Sequence, residues 1–468
     1  MKTFHHLIGG ELVAGRRHFA VIDPATGAPF ADCPDATREE LDRALAAAEG
    51  AFAGAWPHDE ALRRRTLGAM SEALAGQADA LGRLVSQEQG KPLTHAQNEV
   101  RGAARLLRIC AEEPIPVEVL RDDGKLRVTV VRKPLGVAAA ITPWNYPIAT
   151  LAGKLGPALL AGNTVVAKPS PFTPLSSLEL GTLFRALVPA GVLNVVGGSD
   201  EVGAWMTGDP RVRKISFTGS VPTGKKIMRA AAEDLKRVTL ELGGNDPAVV
   251  LPDVDPAAVA ERLFWGAFTN SGQICVAIKR LYVHETVYQP IVAALTELAG
   301  RVTMGAGLEA GSELGPINNR PQFERVQELV DDARRQGGKV VAGGAPLPRA
   351  GYFYPPTLVT DVGAGVRLVD EEQFGTALPI IAYRDLDDAL GQANRTHYGL
   401  GGSVWTADVA RGLELAQRLE CGTAWVNQHI NTGALAPFGG MKWSGIGREN
   451  GRWGLDEFSD LQVLSARL

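Results

Sequence analysis

Four cysteines are spread over 468 residues, too few for a disulfide framework and too irregularly spaced for a zinc site. No uninterrupted apolar run reaches the roughly 20 residues of a membrane-spanning helix, and the opening Met1-Lys2-Thr3-Phe4-His5-His6-Leu7 lacks the apolar core of a signal peptide. An excess of one charge is missing too: 48 basic and 52 acidic residues give a formal net charge of -4. The basic residues are scattered, so neither nucleic acid nor a membrane surface is an expected partner. These absences point to a reduced, cytoplasmic protein that handles a small molecule. A GxGxxG fingerprint between strand and helix is also lacking; Gly197-Gly198 and Gly203 imitate it only in part and read as a loop. Internal repeats and low-complexity tracts are absent.

What the chain does contain is length for two or three packed units. Thr37-Arg38-Glu39-Glu40 is a capping-box pattern ahead of an alanine-rich amphipathic stretch to Ala55, and helical stretches continue to about Glu113. Leu126 to Arg132 then alternates like an exposed strand before Pro134, which predicts a bridging or edge element. From Gly136 short apolar runs alternate with helical lengths: Gly136 to Ile141, Asn163 to Lys168, Val192 to Val196, Lys214 to Phe217 and Val238 to Leu242. Such alternation predicts a parallel, helix-covered sheet. A second series follows Asn245, with strands expected at Leu281-Val283, Lys339-Val341, Leu378-Ile381, Ser403-Trp405 and Thr423-Val426. Two α/β units therefore meet near Glu241, where a cleft for a small molecule is expected.

Cys275 stands out at this junction, in Gly272-Gln273-Ile274-Cys275, 34 positions after Glu241 in Leu240-Glu241-Leu242-Gly243-Gly244. A thiol attacks a carbonyl only as thiolate, so it needs a partner to take its proton or, later, to activate water against a thioester. Glu241 ends a strand-like run and is followed by two glycines that let a ligand approach closely. Cys33, Cys110 and Cys421 have no such setting and read as buried hydrophobes.

Five segments then combine: Ile141-Thr142-Pro143-Trp144-Asn145-Tyr146-Pro147, Ala167-Lys168-Pro169-Ser170, Phe217-Thr218-Gly219-Ser220, Leu240 to Asn245, and Gly272 to Cys275. With Glu372-Gln373-Phe374-Gly375 and Pro437-Phe438-Gly439-Gly440 they resemble the aldehyde dehydrogenase superfamily, non-acylating and NAD(P)-dependent, over nearly the whole chain. The resemblance implies an α/β fold of two Rossmann-like parallel-sheet domains plus a small protruding β element for oligomerisation. Residues 1–115 and 135–240 would form the NAD(P)-binding domain, 241–443 the catalytic domain, and 116–134 with 459–468 the oligomerisation strands. It further implies that Cys275 is the nucleophile, Glu241 the general base and Asn145 an oxyanion donor with the Cys275 N–H. Removing such a donor costs about 2.7 to 4 kcal/mol of barrier; read alone, Asn145 also suits a Trp-Asn-Tyr-Pro turn. Lys154 and Glu449 match a proton exit route, and equally a structural salt bridge. Lys168 and Ser170 would hold the adenine ribose, and Gly219-Ser220 would receive the pyrophosphate at a helix start. Glu372 would take the nicotinamide ribose hydroxyls, Phe374 would be a ring wall, and Ile141, Trp144 and Leu242 would line the nicotinamide end. The implied cofactor is NAD, with NADP possible and no metal needed for catalysis.

Departures from the family pattern bear on selectivity. Pro171 stands where many NAD-preferring members carry an acid against a 2'-phosphate, which leaves NADP tolerated. Gly153 stands where some members carry a bulky Trp, and those resembling succinate semialdehyde dehydrogenases an Arg for the substrate carboxylate. With small Ala149 and Thr150 it predicts a roomy entrance, partly refilled by Tyr146, Trp265, Phe438 or the loop Gln428-His429-Ile430-Asn431, and a medium or aromatic aldehyde rather than a dicarboxylic semialdehyde. Asn245 and Thr376 replace a frequent lysine and proline without touching a reacting atom. The expected assembly is a homodimer or homotetramer built on strands Leu126 to Arg132 and Ser459 to Leu468, with Asp460 and Arg448 meeting near such contacts. Two other readings compete: a coenzyme A-acylating enzyme, disfavoured by Glu241, and a catalytically silent homologue, disfavoured by the joint presence of Cys275, Asn145 and Glu241.

Overall fold

The computed structural model describes residues 2–468, which form two large helix-covered sheets, a separate three-stranded antiparallel sheet and one hairpin. The first large sheet orders its strands Gly445–Ile446, Arg237–Leu242, Val212–Gly219, Val137–Ile141, Thr164–Lys168, Leu193–Val195, His6–Ile8 and Glu11–Val13. Its five middle strands, Arg237–Leu242 through Leu193–Val195, run parallel. They are largely buried, and the central one, Val137-Ala138-Ala139-Ala140-Ile141, is apolar end to end, because helices cover both faces. The expected capping box is present: Thr37 accepts from the Glu40 N–H and Glu40 from the Thr37 N–H, starting the helix Arg38–Phe52.

Strand order reverses between Val137–Ile141 and Val212–Gly219, since the chain goes outward from the first in one direction and returns to add the second on the other side. A crevice opens at such a switch point, outside the carboxyl ends of the strands. Ile141, Lys168, Gly219 and Leu242 are the residues at those four ends.

The second large sheet runs Lys339–Ala342, Thr357–Thr360, Ala377–Tyr383, Ile278–His284, Asp246–Val250, Gly401–Trp405 and Thr423–Val426, parallel except for the antiparallel first pair. Two of these strands are not legible in the sequence. Asp246–Val250 opens with Asp-Pro, which reads as a turn; Pro247 is tolerated because the register shifts there at the strand's start. Thr357–Thr360 is four residues long and follows Pro355-Pro356.

Leu126–Pro134 is not an edge. It is the middle strand of the small sheet, with Ser459–Arg467 on one side, from Ser459↔Pro134 to Arg467↔Leu126, and Glu118–Asp122 on the other. The half-exposed alternation was readable, but its partner lies more than three hundred positions away in the sequence. The sheet's edges are the outer two strands, which expose Val119, Leu120, Leu461 and Val463. Arg448 and Asp460 do not meet within the chain: Asp460 pairs with Arg237, whereas Arg448 donates to the carbonyls of Gly440 and Gly447.

Candidate active site

The helix Pro256–Phe268 runs into a tight turn in which Asn270, Ser271 and Gly272 have φ of 52°, 56° and 72°. Left-handed backbone is costly at residues with side chains and persists only where the surroundings over-determine it. Here Ser271 Oγ donates to the Gly315 carbonyl (2.7 Å), Gln273 Nε2 donates to the Asn270 carbonyl (2.8 Å) and Gln273 Oε1 accepts from the Asn318 N–H (2.8 Å). A Cβ on Gly272 would also overlap the Gly375 carbonyl, so glycine alone fits. The turn presents Cys275, half-buried, just ahead of the strand Ile278–His284.

Cys275 opens onto a cavity of about 1710 Å³ at the switch point, more than one drug-sized ligand fills. Its lining includes Glu241, Asn145 and Glu449, together with Ile141, Trp144, Lys168, Ser170, Gly219, Ser220, Glu372 and Phe374. Lys154 lies behind the wall, bonded to Glu449. Leu242 does not line the cavity: its side chain faces Gly224 in the helix Val221–Ala232, as strand alternation with Glu241 requires. Cys33, Cys110 and Cys421 do not line it either.

Asn145 Nδ2 donates to the carbonyl of Gln273 at 2.8 Å, two residues before the thiol. Its loop is pinned from below by a pair that sequence reasoning missed. Lys91 and Glu99 are both buried, and Lys91 Nζ donates to Glu99 Oε2 (2.6 Å) and to the Asn145 carbonyl (2.7 Å). Glu99 Oε1 accepts the N–H groups of Ile148 and Ala149 at 2.9 and 3.2 Å, fixing the start of the helix Pro147–Ala161. Removing one partner of such a pair costs about 3–5 kcal/mol. The signal, had it been used, is a lysine followed eight residues later by a glutamate that faces inward on an amphipathic helix.

Glu241 is buried, and among the described residues its Oε1 has no hydrogen-bond partner. Burial, followed by the charge of Glu449, pushes its carboxyl up to about 8. Lys154 Nζ sits 2.6 Å from Glu449 Oε1 and donates to Ser216 Oγ at 3.1 Å. The Cys275 thiol is raised first by burial and then by the negative charge of Glu241.

Several features of the other end fit a dinucleotide. Ser220 caps the helix Val221–Ala232, its Oγ accepting the Thr223 N–H at 3.4 Å, and this helix start lines the cavity with Gly219, Ser220 and Val221, where the helix dipole favours an anion. The hydroxyls of Thr142 and Thr218, both on the lining, are buried without partners. Among the described residues Lys168 Nζ donates only to the Pro169 carbonyl (3.1 Å), and burial lowers its ammonium to about 8. Glu372 Oε1 accepts the Gly244 N–H at 3.0 Å, and Phe374 packs edge-on against Trp144 with ring centroids 5.2 Å apart.

The opposite mouth is apolar and small-residue lined: Tyr146, Ala149, Thr150, Gly153, Ile430 and Phe438. A Cβ on Gly153 would meet nothing within 4 Å. Beside it a recess shares Gly153, Leu106 and Asn450 with the cavity and continues over Ile109, Leu160 and Leu455. Trp265 does not refill this entrance; it packs edge-on against Phe264 in the second sheet's core, 5.3 Å between centroids. Among the described residues the lining cations are Lys168, Lys226 and Arg325. Lys168 ends a strand of the first sheet, Lys226 lies on the helix that Ser220 caps, and Arg325 donates to the Glu372 carbonyl. The apolar mouth carries none of them.

The family model described as "Aldehyde dehydrogenase family" matches residues 12–464. A protein named probable aldehyde dehydrogenase from a Pseudomonas species is 40% identical over 98% of this chain and 93% of its own. The succinate-semialdehyde dehydrogenase [NADP(+)] of Escherichia coli is 38% identical over 98% of this chain and 96% of its own. Among solved structures, the NAD+ complex of an aldehyde dehydrogenase from Bacillus cereus superimposes with a TM-score of 0.97 at 34% identity, covering 100% of this chain and 97% of the other.

Proposed function

The chain belongs to the aldehyde dehydrogenase family, and from that premise we propose that it oxidises uncharged medium-sized or aromatic aldehydes to carboxylic acids, with NAD preferred and NADP tolerated. Aldehyde oxidation with NAD(P) is the activity of the family; the substrate class and the residue roles are this proposal. The observation that carries it is the convergence of Cys275, Asn145 and Glu241 on one cavity, with a Glu241 oxygen free of protein partners.

The Cys275 thiolate adds to the aldehyde carbon, and the resulting oxyanion is taken by the Asn145 amide and the Cys275 N–H. A nicotinamide bound here would supply the acceptor for the hydride lost from the adduct. What remains on Cys275 is a thioester. Glu241 then draws a proton from water as the water oxygen attacks the thioester carbon, the C–S bond breaks, and the acid leaves. Lys154 and Glu449 carry the proton outward. Lys168 and Ser170 hold the adenine ribose, Gly219-Ser220 the pyrophosphate, and Glu372 the nicotinamide ribose, with Ile141, Trp144 and Phe374 around the ring; a contact from Leu242 would come through its backbone. Residues up to 240 without 116–134 serve as the cofactor-binding unit and 241–443 as the catalytic unit. The outer strands of the small sheet join subunits into a dimer or tetramer.

The cation-free apolar mouth argues against a second carboxylate on the substrate, because a desolvated carboxylate without a partner is expensive. This chain therefore differs from its Escherichia coli relative in what it accepts. In an aldehyde panel followed by reduced-nicotinamide absorbance, benzaldehyde or a medium-chain aldehyde is expected to exceed succinic semialdehyde in kcat/KM by at least about tenfold. Acetaldehyde turned over better than every bulkier aldehyde would reject the reading. Gly153→Trp is expected to lower kcat/KM for benzaldehyde at least about tenfold and leave acetaldehyde within about threefold, since the side chain fills open space. Equal effects on both would detach Gly153 from selectivity.

Pro171 lines the cavity beside Ser170, so no carboxylate at that position repels a 2'-phosphate. The kcat/KM ratio is expected to favour NAD over NADP by less than about a hundredfold, and an NADP preference above about tenfold would contradict this assignment. Product analysis with and without coenzyme A separates hydrolysis from acyl transfer: free acid in both is expected.

A further inference from the structure

A single ammonium stands directly behind the nucleophile turn. Lys279, 2% exposed on the strand Ile278–His284, donates through Nζ to the carbonyls of Ile274 and Cys275, both at 2.8 Å, with the Ala277 carbonyl at 3.5 Å. The nearest carboxylate oxygen, Glu372 Oε1, is 3.8 Å away and already accepts the Gly244 N–H. The Phe374 ring centroid lies 5.7 Å off. This differs from two other buried lysines of the site, Lys91 and Lys154, each of which meets a carboxylate at 2.6 Å; Lys279 spends its donors on neutral carbonyls of the turn that bears the thiol. A buried cation only loosely paired exerts its field on whatever is next to it.

We propose that Lys279 is a positioning residue for the oxidation. It clamps the carbonyls of Ile274 and Cys275 and supplies, beside Glu372, the buried positive charge against which the Cys275 thiolate forms. The proposal rests on the reading of Cys275 as nucleophile given above. The groups acting on the thiol come from every neighbouring element. Glu241 from the first sheet and Asp246 from the second raise it after burial has done so, and Lys279 opposes them. Lys279 also acts on Glu372, Asp246 and His429. Arg325 also acts on Glu372 and Arg280 on Asp246, but Lys279 is the cation common to these two carboxyls and the thiol. The covalent step is unchanged: the thiol gives its proton to solvent water before the C–S bond forms, and Lys279 favours the resulting thiolate without accepting the proton.

The test reads the thiol itself. Iodoacetamide alkylation is followed at Cys275 by peptide mass spectrometry from about pH 6 to 10, with the three other cysteines as internal controls. Lys279→Gln keeps donors for the carbonyls and removes the charge. It is expected to move the midpoint of the profile up by at least about one pH unit, about tenfold slower labelling on the rising limb, while Lys279→Arg keeps the midpoint within about half a unit. Glu372→Gln removes the partial counter-charge and is expected to move the midpoint down. A merely structural lysine would not shift two profiles in opposite directions. A Lys279→Gln profile coincident with the native one overturns the proposal; where that variant does not fold, an unmoved Glu372→Gln profile overturns it. Absence of Cys275 labelling in the native protein would instead count against the nucleophile assignment.

Discussion

Cys275→Ser is expected to lower kcat/KM for every aldehyde at least about 10³-fold while leaving the melting temperature within about 2 °C of the native value. The two effects separate because they arise on different links. The substitution is near-isosteric at a half-buried position, and the turn is held by bonds from Ser271 and Gln273, not from the thiol. The chemistry, by contrast, needs a nucleophile that ionises and a sulfur leaving group that hydrolysis expels. An alcohol far above the thiol in pKa provides neither at neutral pH. Steady-state rates against an aldehyde panel, paired with thermal unfolding, check this; residual activity within about tenfold of native would contradict the assignment.

Glu241→Gln is expected to lower kcat about 10²- to 10⁴-fold and to erase a pH dependence. With its carboxyl pushed up to about 8 by burial and Glu449, Glu241 holds its proton at neutral pH. Only the carboxylate accepts a proton from water, so the hydrolytic rate rises as pH passes through about 8. The glutamine variant has no such ascending limb. Stability changes the other way. A carboxyl whose pKa climbs from 4.5 to about 8 on folding contributes stability that is present below 4.5 and lost as pH rises through about 8. The variant is therefore expected to melt no lower than the native protein at about pH 9, and a pH–rate profile unchanged by the substitution would reject Glu241 as the base.

Much of this was legible because the strands of a doubly wound sheet are continuous apolar runs. Val137 to Ile141 and Thr164 to Lys168 are buried on both faces and stand out between helices. The proposed trio stands out because Glu241 sits at a strand end, Cys275 follows a glycine-marked turn and Asn145 lies in the loop between Ile141 and the helix Pro147–Ala161, and their neighbours carry the family pattern. What escaped was long-range. That Leu126–Pro134 is a middle strand depends on Ser459–Arg467, distant in sequence. That Leu242 turns away from the cavity follows from strand phase, which fixes Glu241 on one face and Leu242 on the other. Trp265 looked free to fill the entrance, yet its place on the helix Pro256–Phe268 sets it, half-buried, against Phe264 at the margin of the second sheet's core. Lys91 and Lys279 escaped for a different reason: a lysine in a sequence reads as solvated until the fold buries it.

In the proposed reaction, oxidation passes through a bond to Cys275 that Glu241 must clear. Glu241→Gln protein mixed rapidly with excess NAD+ and aldehyde, with reduced nicotinamide followed by absorbance and the protein by intact mass, tests both halves at once. A fast burst of about one equivalent of reduced nicotinamide per chain is expected, with little turnover afterwards and an acyl adduct mapped to Cys275. Undiminished steady turnover, or a burst with no adduct on Cys275, would contradict it.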